Sequence, residues 1–111
     1  MMGLQLVIAG GKGWMYEGGT REPLIVRWPG VAGPGTWCDT PVTSPDLYPT
    51  LLKLAGVTPK RQKPLDGKDA WPTIAEAKAT PHEFVLHNVT PYHGAIRMGD
   101  WKLVRNGQVS A

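Results

Sequence analysis

The sequence predicts an α/β fold in which a strand and a helix are followed by a small antiparallel sheet. Residues 24–28 form a continuous apolar run broken only by Arg27, which is typical of a strand buried on both faces. An amphipathic pattern begins at Ser44. Short segments of strand-forming residues separated by turn signals occupy the C-terminal third.

The N-terminal part is glycine-rich. Residues 4–9 are predicted to form a strand, and residues 10–13, Gly-Gly-Lys-Gly, a flexible segment after it. Glu17-Gly18-Gly19 is predicted to be a turn, because paired glycines permit positive φ or close backbone approach.

The strongest helix signal follows a loop rich in Gly, Pro and Thr. Ser44 is the predicted N-cap, Pro45 the first helical residue, Asp46 a first-turn acid, and Gly56 lies just past the end. Apolar residues recur every three or four positions, so one face should pack against a sheet. A second, short helix is predicted over residues 69–77.

Three strands are predicted near the C-terminus. They span residues 83–87, 95–98 and 101–104, and Gly99-Asp100 forms the turn between the last two.

Composition limits the classes of function. The chain has 111 residues, of which 41% are hydrophobic and 19% charged, so it is no disordered tail. Its net charge of +3 comes without a long basic run, and no apolar stretch could span a bilayer, so neither nucleic acid nor membrane is a predicted partner. The single cysteine, Cys38, can form no internal disulfide.

Two patterns invite a site assignment from spacing alone. Residues 10–13 suit an anion, but a P-loop would need Gly at Leu6 and Ser or Thr at Gly13. His82 and His87 resemble a zinc-protease pair, yet their spacing sets them about 140° apart around a helix. Surface or hydrogen-bonded histidines are therefore favoured over a zinc site that also used His93.

Several segments together resemble the sulfatase family. Residues 12–30 read K-G-W-M-Y-E-G-G-T-R-E-P-L-I-V-R-W-P-G, and a sulfatase lysine likewise precedes E-G-G-x-R-x-P and a buried strand. Residues 39–56 resemble the helix that follows. Residues 63–74 and 86–104, the latter with G-D-W-K-L, are similar to the arylsulfatase B branch in particular.

This resemblance implies a fold and a chemistry. Residues 1–70 would be the end of an alkaline-phosphatase-like α/β domain, and residues 71–111 the start of a C-terminal antiparallel subdomain. In the family, a formylglycine made from cysteine attacks sulfur as its hydrate, while a calcium ion and basic residues hold the sulfate. The lysine that matches Lys12 contacts the sulfate and stabilises or protonates the departing oxygen, which makes Lys12 the predicted catalytic residue.

Other residues receive roles by the same resemblance. Glu17, Gly18, Gly19 and Arg21 are predicted to shape the turn that presents the lysine. The predicted substrate-pocket residues are His87, Asn88 and His93.

The departures from the family are as informative. The formylglycine motif, Cys-x-Pro or Ala-x-Arg, is absent, because Thr40 and Val42 follow Cys38 at its defining positions. The calcium-binding Asp-Asn pair should precede the lysine, but residues 1–11 contain neither residue type. We therefore expect no ligands for formylglycine or calcium in this chain, and interpret it as a fragment of a longer parent. The family is usually exported, to the periplasm, the cell exterior or the lysosome, but the sequence predicts no compartment for this parent.

Three hypotheses follow. The first is a fragment, inactive by itself, of a sulfatase that acts on an aryl sulfate or a sulfated sugar, like an N-acetylgalactosamine 4-sulfatase. The second is a non-catalytic module that binds an anionic polysaccharide through its five tryptophans and basic residues. The third is a remnant without function.

Overall fold

The computed structural model describes residues 10–58, 60, 63–87, 90 and 92–106. Its elements within these ranges are α1 (Glu17–Thr20), α2 (Ser44–Leu54), α3 (Trp71–Glu76), β1 (Val85–His87), β2 (His93–Met98) and β3 (Trp101–Asn106). Two compact units result. The helical unit, Ile25–Glu83, holds α2 and α3, and the sheet unit, formed by the described residues on either side of it, holds α1 and the strands.

The structure does not test two of the predictions, one about a strand and one about a domain boundary. The strand predicted over residues 4–9 lies outside the described residues. The division predicted at residue 70 concerns a longer parent protein and stays a prediction.

The main helix forms where the sequence predicts it, with its cap one residue earlier. Thr43, not Ser44, is the N-cap: it has extended dihedrals, and its backbone N–H donates to Asp46 Oδ2 at 2.7 Å. Adjacent Thr and Ser are both good caps, so the side-chain rule alone could not choose between them. At the other end, Gly56 adopts φ +66°, as expected for the residue that ends a helix.

Asp46 also ties this helix to distant parts of the helical unit. The residue is fully buried, and besides Thr43 its carboxylate accepts the Lys68 backbone N–H at 2.8 Å and His82 Nε2 at 2.7 Å. Next to it, Thr50 accepts the Ala70 N–H at 2.9 Å. Buried hydrogen bonds, rather than a large apolar core, therefore join α2 to the segments around α3.

The predicted buried strand over residues 24–28 is wrong for this structure. The segment has no regular secondary structure; Ile25 is 90% exposed and Leu24 48% exposed. A strand needs partners on its edges, and the described residues supply none to this segment. The α2 face also lacks the expected sheet, because Leu51 is 62% exposed.

The antiparallel part of the prediction is confirmed. The strands pair in the order β1-β2-β3, all antiparallel, and Gly99, at φ +54°, begins the turn between β2 and β3. The short helix predicted over residues 69–77 is confirmed as α3, with its ends moved by one or two residues.

The pairing register divides the sheet into two faces. Val85 lies opposite Arg97, which lies opposite Lys102, so these side chains share one face. Val85 and Ala95 on that face are buried, and α1 contacts it through its own side chains. The other face carries apolar side chains exposed over half their area or more: Leu86, Met98, Trp101 and Leu103.

Candidate functional site

Lys12 projects from a glycine turn. Gly10 and Gly13 adopt φ of +84° and +94°, backbone conformations that residues other than glycine rarely adopt. The Trp14 N–H donates to the Gly11 carbonyl at 2.9 Å, which closes the turn around the lysine. The Lys12 side chain is exposed, and within the described part of the chain no hydrogen bond or ion pair engages its ammonium. It is available to an anion.

The turn rests on α1 through a glycine. A Cβ atom placed on Gly19 would collide with the carbonyl oxygens of Trp14 and Gly11, the two residues that close the lysine turn. Of the two functions predicted for the paired glycines, close backbone approach is confirmed at Gly19. Positive φ is wrong, because Gly18 and Gly19 are helical instead.

The same helix is fastened to the sheet by charge. Lys102 Nζ donates to Glu17 Oε1 at 2.9 Å and to Thr20 Oγ1 at 2.8 Å, while an Arg97 nitrogen lies 3.6 Å from the Glu17 carboxylate. The hydrogen bond from Lys102 lowers the pKa of Glu17; burial opposes this, and the charges of Lys102, Arg97 and Arg21 add to it. Glu17 therefore stays ionised beside its two partners.

His87 lies on the sheet face that carries these charges. Its Nε2 atom is buried and has no hydrogen-bond partner among the described residues. Burial lowers the pKa of His87, the Lys102 charge lowers it further, and Glu17 opposes both. A neutral imidazole with an open nitrogen could bind a polar group from outside this segment.

The other predicted pocket residues are less informative. His93 begins β2 and is exposed, and its side chain makes no hydrogen bond within the described ranges. Asn88 lies outside the described residues. The structure thus places His87 beside the charged cluster formed by Glu17, Arg97 and Lys102, and does not test the pocket assigned to the three predicted residues.

The described residues offer no metal site. No three His, Cys, Asp or Glu side chains among them are placed to hold an ion. Asp46, the buried carboxylate, is already occupied by four donors, and His82 is one of them. His82 is therefore one of the hydrogen-bonded histidines that the sequence favoured. The residues that the structure describes do not fit the calcium ion that the family resemblance implies.

Sequence reasoning missed Lys102 and Arg97. Lys102 belongs to the G-D-W-K-L segment, and Glu17 to the E-G-G segment 85 residues earlier. The only sequence signal for this ion pair was that one segment contains an acidic residue and the other a basic residue. Spacing along the chain could not show that they meet.

The lowered pKa of His87 predicts an acid-sensitive sheet unit. A folded-state pKa below the unfolded value of 6.5 favours the folded state above that pH, and this contribution is lost as the pH falls from 6.5 through the folded pKa. We expect the His87 ring proton resonance to titrate below 6.5, and His87→Gln to flatten the pH dependence of sheet-unit stability in this range. A His87 midpoint at or above 6.5 would contradict the burial argument.

Comparison with known proteins gives consistent matches. A family model described as N-sulphoglucosamine sulphohydrolase, C-terminal, matches residues 10–109. Steryl-sulfatase from Mus musculus is 38% identical over 98 residues, covering 87% of this chain and 16% of that protein. Steryl-sulfatase from Homo sapiens is 37% identical over 82% of this chain, and arylsulfatase J from Mus musculus is 37% identical over 85% of it; each match covers 16% of the relative.

The chain thus spans about a sixth of the length of the curated relatives it matches. No helix in the described ranges has the length and apolar character required to cross a bilayer. The resemblance to sulfatases found in the sequence is confirmed over most of the chain.

Proposed function

Because this chain belongs to the N-sulphoglucosamine sulphohydrolase C-terminal family of sulfatases, we propose that it is the segment of a sulfuric ester hydrolase that brings Lys12 to the substrate sulfate. The observation that carries the proposal is the lysine turn. A hydrogen-bonded glycine turn, closely packed against Gly19, presents an ammonium that the described residues leave unpaired. An unneutralised cation can bind an anionic ester and stabilise the charge that develops on it.

Lys12 would act on the bond that breaks. Hydrolysis of a sulfate ester cleaves the bond between sulfur and the ester oxygen, and that oxygen leaves with the electron pair and gains a proton. An ammonium beside it stabilises the growing negative charge and can supply the proton. Formylglycine would supply the attacking oxygen and calcium would hold the sulfate, but no described residue is assigned to either.

We also propose the fold of the parent protein and the class of its substrate. An alkaline-phosphatase-like α/β domain would provide the sheet that residues 24–28 and the α2 face lack within the described chain. The relatives are named for steryl and aryl sulfates. A sulfated sugar of the N-acetylgalactosamine 4-sulfate type stays a prediction beside these two classes.

A graft tests the proposed function. We would replace the matching 98-residue segment of Mus musculus steryl-sulfatase by this chain and assay an aryl sulfate, a steryl sulfate and a sulfated N-acetylgalactosamine. The matched control carries the corresponding segment of the Homo sapiens enzyme. We expect turnover of at least one ester by the graft and none by the isolated 111-residue chain. A folded graft that hydrolyses none of them, beside an active control graft, contradicts the proposal.

A further inference from the structure

In the sheet unit, hydrogen bonds connect strand β3 to α1, two elements that are far apart in the sequence. Lys102 lies on β3, and its ammonium donates to Glu17 and to Thr20, which are the first and last residues of α1. One cation therefore holds both ends of this single-turn helix. Arg97 on the neighbouring strand adds a second positive charge at 3.6 Å from the Glu17 carboxylate.

The connection continues from α1 to the lysine turn. Gly19, between the two anchored residues, lies too close to the carbonyls of Gly11 and Trp14 for any side chain to fit. Those two residues close the turn around Lys12 by the Trp14 N–H bond. A shift of α1 would therefore move the backbone that carries Lys12.

Burial separates this contact from an ordinary surface ion pair. The Lys102 and Glu17 side chains are 14% and 36% exposed, whereas those of the Lys78 and Glu76 pair are 64% and 52% exposed. Solvent screens exposed pairs, so they contribute little to structure. A largely buried ammonium with two acceptors holds its geometry more firmly.

We propose that Glu17 is a positioning residue for Lys12: fastened to Lys102 and Arg97 on the sheet, it fixes α1 and thereby the turn from which the ammonium projects. Glu17 touches no substrate in this arrangement and acts only through Lys12. The inference rests on the proposed function of Lys12, but its structural part can be measured without any catalysis.

The first test uses the full 111-residue chain in solution. In Glu17→Ala and Lys102→Met we expect the Trp14 amide to exchange at least about tenfold faster, because the turn loses its support. Backbone heteronuclear NOE values at residues 11–13 should fall as well. Alanine is a better helix former than glutamate, so reduced helix propensity cannot explain the change. Glu17→Gln, which keeps an oxygen for Lys102, should restore part of the protection.

The titration of His87 gives a signature specific to this cluster. Glu17→Ala removes the charge that raises the pKa of His87, so the midpoint should fall, whereas Lys102→Met removes a lowering charge and the midpoint should rise. General loosening of the sheet unit would move both midpoints the same way, toward 6.5. The control, Glu76→Gln, breaks an exposed pair and should change none of these readouts.

The second test is a double-mutant cycle in the grafted sulfatase. Glu17→Ala should lower kcat at least about tenfold with Lys12 present and leave the residual rate unchanged when Lys12 is alanine, because residues acting as a unit are not additive. An equal loss in both backgrounds overturns the positioning role, as does an unchanged Trp14 amide in the isolated chain. Failure of Lys12→Ala to affect turnover would instead contradict the proposed function and leave the measured turn geometry standing.

Discussion

Replacing Lys12 by alanine in the grafted sulfatase is expected to lower kcat for an aryl sulfate by about a hundredfold to a thousandfold, as removal of one preorganised donor to a developing anion does. The reason is the negative charge that develops on the departing oxygen, which the ammonium presented by the glycine turn would stabilise. Steady-state kinetics with a chromogenic aryl sulfate measure the change. The loss should be smaller for esters with a good leaving group, since less charge then needs stabilisation.

The control for this variant is Lys63→Ala, which removes an exposed lysine between α2 and α3 in the helical unit. It should leave kcat within about twofold, because surface substitutions away from a site are nearly neutral. Equal rates for the Lys12 and Lys63 variants would exclude a catalytic role for Lys12.

Replacing Asp46 by alanine is expected to destabilise the helical unit by about 3–5 kcal/mol, because several buried donors lose their acceptor at about 1–3 kcal/mol each. The carboxylate is fully buried, and its loss would leave the Thr43 and Lys68 N–H groups and the His82 nitrogen without their acceptor. The exchange of the Ala70 amide, which donates to Thr50 beside Asp46, reports the opening of this unit. Asp66→Ala, at an exposed aspartate in the same unit, is the matched control.

The same carboxylate makes the helical unit sensitive to acid. Burial raises the pKa of Asp46, but hydrogen bonds from the Lys68 and Thr43 backbones, from His82 and from the Thr43 hydroxyl outweigh it, so the pKa is lowered from 3.8. A lowered folded-state pKa stabilises the unit above pH 3.8, and this contribution is lost as the pH falls from 3.8 through the folded value. The acid transition of Ala70 exchange should therefore be absent in Asp46→Ala. Its persistence there would assign the transition to other groups.

The sequence was sufficient to predict the elements that depend only on neighbouring residues. The helix from residue 44 follows from its cap, its proline and Gly56, and the hairpin between β2 and β3 follows from Gly99-Asp100. The glycines around Lys12 likewise indicated a turn that could present an ammonium to an anion. Each of these signals lies within a few residues of the element that it predicts.

The failures have a common cause. Residues 24–28 have the composition of a buried strand, but a strand exists only when another pairs with its edge. The hydropathy of a segment indicates how much free energy its burial would contribute. It does not indicate whether a partner strand is present to bury it.

By itself, the sequence determined the family, the main helix, the antiparallel hairpin and the lysine at the glycine turn. The tertiary structure alone decided that Glu17 meets Lys102 across 85 positions and that Asp46 meets His82 across 36. A charge carries no local preference for a distant partner, so only the folded backbone, which brings them within hydrogen-bonding distance, selects the pairs that form.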